Sequence, residues 1–180
     1  AIDIKEFSSA EKIDPEDFYL VLTRLSPWKR VDLAVEACLN TGDSLNIAGS
    51  GPDVARLKKI AGDSENIEFL GYVSEKEKVK LLERCKALIN TQFEDFGLVP
   101  LEAMACGRPV IAYKKGGVLE TIVEEKTGTF FDKQEVDSLV RAMREFQSEN
   151  YSHQDCREQA ARFSIEKFSK KIRDFVERLN

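Results

Sequence analysis

The stretch ALINTQFEDFGLVPLEAMACGRPVIAY, residues 87–113, decides the fold. ALINT (87–91) and PVIAY (109–113) are short, nearly continuous apolar runs, and the segment between them carries the marks of a helix near 99–106. Pro100 suits a first helical turn, where its N–H would be unpaired anyway, and Gly107 can stop the helix. Two strands apolar on both faces, separated by a helix, call for parallel pairing with helices packed over the sheet. The same alternation runs upstream through FYLVLT (18–23), VDLAVEACL with Val31, Ala34, Val35 and Cys38 on one face, and LNIAG (45–49). A helix near 53–61, IEFLG (67–71) and a helix through Val79, Leu82 and Cys85 complete that half. Downstream come a short helix near 118–124, GTFF (128–131) and closing helices over 134–147 and 152–179, the last broken near Phe163-Ser164. The expected fold is therefore α/β, a Rossmann-like parallel sheet with helices on both faces.

The chain has 180 residues, 42% hydrophobic and 33% charged, with 10 glycines and 5 prolines, which is enough to bury one sizeable core and rules out low complexity. A net charge of -5 provides no broad basic face, against nucleic-acid binding and polybasic membrane docking. No apolar run reaches the ~20 residues that span a bilayer, and AIDIKEFSSAEK has neither a basic nor an apolar targeting region. Residues 1–17 are polar, aperiodic and begin without methionine, so they are expected to be an interdomain linker remnant, with the domain itself at 18–180. Cys38, Cys85, Cys106 and Cys156 lie far apart, without the spacing of a zinc site or a disulfide framework, and suggest a reducing cytoplasm. The one histidine, His153, is read as a solvated helix-start residue.

In open parallel sheets ligands bind beyond the carboxyl ends of the strands, where loops feed helix N-termini. The informative residues follow the apolar runs. After ALINT, Gly97 permits close backbone approach, and the free N–H groups around Leu98 and Val99 make an anion site backed by the helix dipole. Glu102, five residues past Gly97, stands roughly 7–8 Å along the axis, about the span from a diphosphate to a ribose. Glu94 faces the other end of such a ligand. The plain alternative is a solvated loop carboxylate and a first-turn glutamate favoured by the helix dipole.

Within this setting, Glu94 and Glu102 match the E-x7-E signature, and FGLVPLEAMACGRPVIA with GGVLETIVEEKTG (116–128) extends the match. The sequence resembles the retaining glycosyltransferases of two-domain GT-B architecture (family 4, group 1), over about residues 18–179, the C-terminal donor-binding half. The resemblance implies a nucleotide-sugar donor, GDP-mannose first and a UDP-sugar second, with no metal required. It implies catalytic roles for Arg24 and Lys29 in TRLSPWK (23–29), which would grip the diphosphate, and for Glu94 on hydroxyls of the transferred sugar. It also implies donor contacts from Gly51 in AGSGP (48–52), from the backbone of Tyr72 and Val73 beside the base, from Phe96, Gly97, Leu98 and Val99, and from Glu102 at the ribose. Gly116-Gly117 reads as a structural turn and Glu120 as helix-start chemistry or a ligand contact. The resemblance further implies an acceptor domain N-terminal to this chain, inactivity of this chain alone, and a cytoplasmic enzyme that could work at the membrane face. Residues 165–179 would cross back to that domain or serve a homodimer contact.

Three other functions compete. The dinucleotide fingerprint fails, because Val54 stands where a third glycine is needed and Gly71 where an acidic residue should end the next strand. A carboxylate-pair glycoside hydrolase would leave Arg24 and Lys29 without an anion to bind. A non-catalytic nucleotide-binding or interaction module on the same fold stays open.

Overall fold

The structure, a computed structural model, describes residues 1–7 and 13–178. Residues 8–12 of the expected linker, residue 179 of the expected closing helix and residue 180 lie outside the described residues. Along the chain run β1 (Tyr19–Leu22), α1 (Val31–Thr41), β2 (Leu45–Ala48), α2 (Val54–Ala61), β3 (Ile67–Gly71), α3 (Glu75–Arg84) and β4 (Ala87–Asn90). They are followed by α4 (Leu98–Ala105), β5 (Val110–Tyr113), α5 (Val118–Thr121), β6 (Gly128–Phe131), α6 (Val136–Glu145), α7 (His153–Ala161) and α8 (Ile165–Glu177). Each strand falls within an apolar run read from the sequence. The expected helix at 118–124 is shorter, because Ile122 turns to extended backbone and Glu125 takes a positive φ of 63°.

The six strands pair in parallel in the order β3-β2-β1-β4-β5-β6, the Rossmann-like α/β arrangement. Alternating side chains supply both faces. Tyr19, Val21, Ile47, Ile89, Ile111 and Phe131 meet α1, α2 and α6 on one side. Leu20, Leu88, Val110 and Ala112 meet α3, α4, α5 and α7 on the other. Leu20, Leu82 and Leu101 are fully buried, each stabilising the fold by roughly 1.5–3 kcal/mol. Because helices cover both faces of the central strands, the strand ends and their loops are what remains open to a ligand there.

The N-terminal segment packs on the domain. Ile2 and Phe7 are buried in the second core, and the Ile2 backbone donates to Phe163 O at 3.1 Å and accepts from Ile165 N at 3.0 Å. Two apolar side chains in a polar segment suffice to pin it, a signal too sparse for periodicity. His153 opens α7 as read, but it is half-buried and not fully solvated, packing on Gly107, where an added Cβ would lie 2.0 Å from the imidazole.

α8 has no buried residue, and leaves Ile165, Phe168, Ile172, Phe175 and Val176 exposed along one face. Among the described residues no helix is long and apolar enough to cross a membrane.

Candidate functional site

β1 lies between β2 and β4, so the chain leaves its carboxyl end toward one side and that of β4 toward the other, opening a crevice at the switch point. A cleft of about 620 Å³ occupies this position. Its walls are Leu22, Thr23 and Arg24 at the end of β1 and beyond it, Ala48 to Gly51 at the end of β2 and beyond it, Tyr72 and Val73 after β3, Glu75 and Lys78 from α3, and Leu98, Val99 and Glu102 from α4. Arg24, Gly51, Tyr72, Val73, Leu98, Val99 and Glu102, chosen from separate stretches of sequence, thus line one cavity.

Local chemistry explains the walls. Gly97 caps α4 in the left-handed region, φ 83°, with no side-chain cap, and Leu101 N makes its helical bond to Gly97 O at 3.2 Å. The preceding N–H groups of Leu98 and Val99 have no intrahelical acceptor by geometry, and Pro100 has no N–H to satisfy. Glu102 is the fifth residue of α4, so the alternative of a first-turn glutamate serving the helix dipole does not hold. Its carboxylate accepts from Lys78 Nζ at 3.2 Å through Oε1, while Oε2 is buried without a partner. Burial, opposed by Lys78, holds this carboxyl above the usual range. Gly51 is there for packing: an added Cβ would meet Leu25 O at 2.0 Å, and Leu25 N already donates to Ser50 O at 2.9 Å. That contact ties the Arg24 loop to the β2 turn.

Glu94 and Lys29 form a separate unit beside the cleft. Lys29 Nζ lies 3.1 Å from Glu94 Oε1, both side chains being mostly enclosed. Lys29 is therefore an ion-paired ammonium and not the solvated loop cation of the plain reading. Gln92 Nε2 donates to the same carboxylate oxygen, and Thr23 Oγ1 bonds Gln92 Oε1 at 3.3 Å, which links Glu94 back to the end of β1. The backbone of Glu94 is fixed by Gly117 N, which donates to its carbonyl at 2.7 Å. Gly116 and Gly117 allow this approach, since an added Cβ would fall 2.2 Å from Glu94 O or 2.4 Å from Asp95 O. Glu120 is exposed at the start of α5 and joins neither unit.

Phe96 is not among the residues lining the cleft. Its ring meets Phe163 edge-on at 6.2 Å, with Phe168 beside the same small hollow, and so turns away from the cleft toward the start of α8. A neighbour of Gly97 in sequence is not its neighbour in orientation once the backbone turns through a positive φ. Tyr72 is 83% exposed, so it contributes an edge of the cleft more than a wall. The Ser74 cap of α3, closed by Glu77 into a capping box, coexists with Tyr72 and Val73 lining the cleft. Sequence reasoning missed Lys78, Gln92 and Thr23. Lys78 sits in EKEKVK, which reads as a solvated helix face, and polar strand-end residues such as Gln92 carry no periodic signal. Among the described residues no group of three or more His, Cys, Asp or Glu could hold a metal ion.

The sequence family described as "Glycosyl transferases group 1" matches residues 3–163. The chain belongs to this family. Among similar group 1 proteins, "Alpha-1,3/1,6-mannosyltransferase ALG2" of Dictyostelium discoideum is 34% identical over 143 residues, 65% of this chain and 34% of that protein. The "GDP-mannose-dependent alpha-(1-6)-phosphatidylinositol monomannoside mannosyltransferase" of Mycolicibacterium smegmatis is 31% identical over 138 residues, 68% of this chain and 36% of that one. The fold matches that of sucrose-phosphate synthase from Thermosynechococcus elongatus with a TM-score of 0.85 at 22% identity, covering 99% of this chain and 51% of the synthase. It also matches Anabaena HepE in complex with UDP, with a TM-score of 0.81 at 21% identity, over 98% and 55% of the two chains. The group 1 chain described here thus spans about a third of the curated relatives and about half of these solved chains.

Proposed function

We propose that this domain binds the nucleotide-sugar donor of a retaining hexosyltransferase, with mannose from GDP-mannose as the transferred group and a UDP-sugar as the second candidate. One observation carries the reading: Arg24, the opening turn of α4 and Glu102 line a single cleft at the switch point of the sheet. A cation and a helix N-terminus in one cleft suit a diphosphate, and a carboxylate further along α4 suits ribose hydroxyls. The mannosyltransferase names of the relatives from Dictyostelium and Mycolicibacterium favour mannose, and the UDP bound by HepE favours a nucleoside diphosphate as the shared ligand.

As the anomeric C–O bond breaks, negative charge grows on the departing diphosphate. Arg24 and the amides of Leu98 and Val99 stabilise it, each charge-assisted bond contributing about 1.5–3 kcal/mol, of which only the gain at the transition state speeds the reaction. Lys29 bridges its carboxylate partner and this diphosphate, supplying positive charge of the kind a divalent metal supplies elsewhere. Glu94, held by Lys29, Gln92 and Gly117, contacts hydroxyls of the transferred sugar. The acceptor, a glycan or lipid-linked sugar, binds an N-terminal domain of a longer polypeptide, and the exposed face of α8 is the surface that meets it. On this reading the chain alone binds donor weakly and transfers nothing, and the complete enzyme works in the cytoplasm, at the membrane face where its acceptor is a lipid.

Isothermal calorimetry with GDP-mannose, UDP-glucose, NAD and a neutral oligosaccharide tests the proposal. GDP-mannose is expected to bind, UDP-glucose more weakly, and the other two not at all. Binding of the oligosaccharide alone, or of NAD in preference to both nucleotide-sugars, would overturn it.

A further inference from the structure

Lys78 belongs to a charged run on α3, yet its side chain is only 15% exposed. Its ammonium lies 2.6 Å from Glu75 Oε2, 3.2 Å from Glu102 Oε1 and 5.0 Å from the centre of the Phe7 ring. Glu75 is exposed, whereas Glu102 is as enclosed as Lys78 itself. The two oxygens of Glu102 are unequal: Oε1 is held by Lys78, and Oε2 is buried with no partner. A buried acceptor without a donor costs free energy, and on the wall of a cleft it marks where a ligand's donor completes the set. We propose that Lys78 is a positioning residue of the nucleotide site, holding Glu102 ionised and oriented so that Oε2 receives a ribose hydroxyl. This inference rests on the reading of the cleft given above.

The charged groups that act on Glu102 come from two further elements: Lys78 and Glu75 from α3, and Glu6 from the N-terminal turn Ile4–Glu6. Arg24 lines the same cleft. Burial pushes the Glu102 carboxyl toward its neutral form, Glu75 and Glu6 push the same way, and Lys78 pulls back. Phe7, buried in the second core, lies beside the ammonium and gives the N-terminal segment a part in the site. With Lys78 neutralised, burial, Glu75 and Glu6 are left to favour the protonated acid, whose bond to a hydroxyl lacks the strength of a charge-assisted one. Binding then depends on deprotonating Glu102, and improves as pH rises.

The test measures binding of GDP, UDP and their 2′-deoxy forms to this chain by calorimetry over a pH series from mildly acidic to mildly alkaline. K78M is expected to lose about tenfold in affinity at neutral pH, roughly what weakening one charge-assisted hydrogen bond costs, and to recover part of it in alkali. It is also expected to prefer ribo- over 2′-deoxynucleotides less than the parent does. K78Q, which keeps a hydrogen-bond donor but no charge, should behave like K78M, so the outcome does not depend on one variant folding. K78R should stay near the parent, and K78M added to E102Q should change nothing further. If E102Q weakens binding but K78M and K78Q match the parent in affinity and pH profile, the role of Lys78 is refuted and the nucleotide reading stands. If neither nucleotide binds the parent, or E102Q leaves affinity unchanged, that reading falls and this inference with it.

Discussion

Replacing Gly117 by alanine tests how the Glu94 loop is held. Gly117 has φ −61°, so alanine meets no dihedral strain there; the obstacle is contact. Its Cβ would lie 2.4 Å from Asp95 O and 2.6 Å from Phe96 Cα, both backbone atoms, so one of the two loops must move. Movement also stretches the 2.7 Å bond from Gly117 N to Glu94 O. Overpacking costs about 1–3 kcal/mol and a weakened hydrogen bond about 1 kcal/mol, together roughly 2–4 kcal/mol. In a chain of this size each kcal/mol lowers Tm by about 2–4 °C, so G117A should melt roughly 5–15 °C below the parent. Gly42 gives the contrast: φ is 79° with nothing within 4 Å of an added Cβ, so G42A should cost only the left-handed conformation, about 1 kcal/mol. The sole tryptophan reports the same event, because Lys29 Nζ lies 4.2 Å over the Trp28 ring and pairs with Glu94. Thermal unfolding followed by circular dichroism, with Trp28 emission on the folded protein, makes the comparison. A G117A variant melting with the parent and with unchanged emission would refute the backbone-on-backbone account of this loop.

R24A should weaken nucleoside diphosphate binding by about 10–100-fold, the equivalent of one charge-assisted bond, and flatten its salt dependence while leaving Tm unchanged, since Arg24 is exposed. Calorimetry at two ionic strengths checks both. E102Q should separate stability from affinity. The folded Glu102 carboxyl titrates above its unfolded value, so the folded state binds more protons and Glu102 makes folding less favourable as pH rises through that interval. The unliganded E102Q protein should therefore be at least as stable as the parent at neutral pH while binding nucleotide less well; denaturant titration showing a large loss of stability would contradict this. All four cysteines are buried, with burial pushing Cys38, Cys85 and Cys156 up to about 12 and Cys106 up as well. A disulfide reagent at neutral pH should label them only at the rate of unfolding, and rapid labelling of the native protein would place one of them at the surface.

The fold was legible because its strands announce themselves twice, as apolar runs and by the helix patterns between them. Leu20, Leu88 and Val110 on one face and Tyr19, Ile89 and Ile111 on the other are the physical content of those runs. Residues set by backbone could also be read: Gly97, Pro100 and Gly107 fixed the limits of α4 to within one residue. Side-chain pairing could not. Lys29 carries the same charge in a loop whether it awaits a phosphate or closes on Glu94, and only the fold brings the loop after β1 to within 3.1 Å of the loop after β4. Lys78 and Phe7 were hidden for a related reason, since a charge in a helical run and two apolar residues in a polar segment look solvated until α3, α4 and the N-terminal turn converge.

Amide chemical shifts on titration with GDP test the central claim most directly, because they report where the nucleotide sits. The account predicts the largest changes at the amides of Leu98 and Val99, with Gly51, Val73 and Glu102 following, on the walls of the cleft between β1 and β4. Changes concentrated instead at the hollow between Lys126 and Arg162, or along α8, with Leu98 and Val99 unmoved, would contradict it.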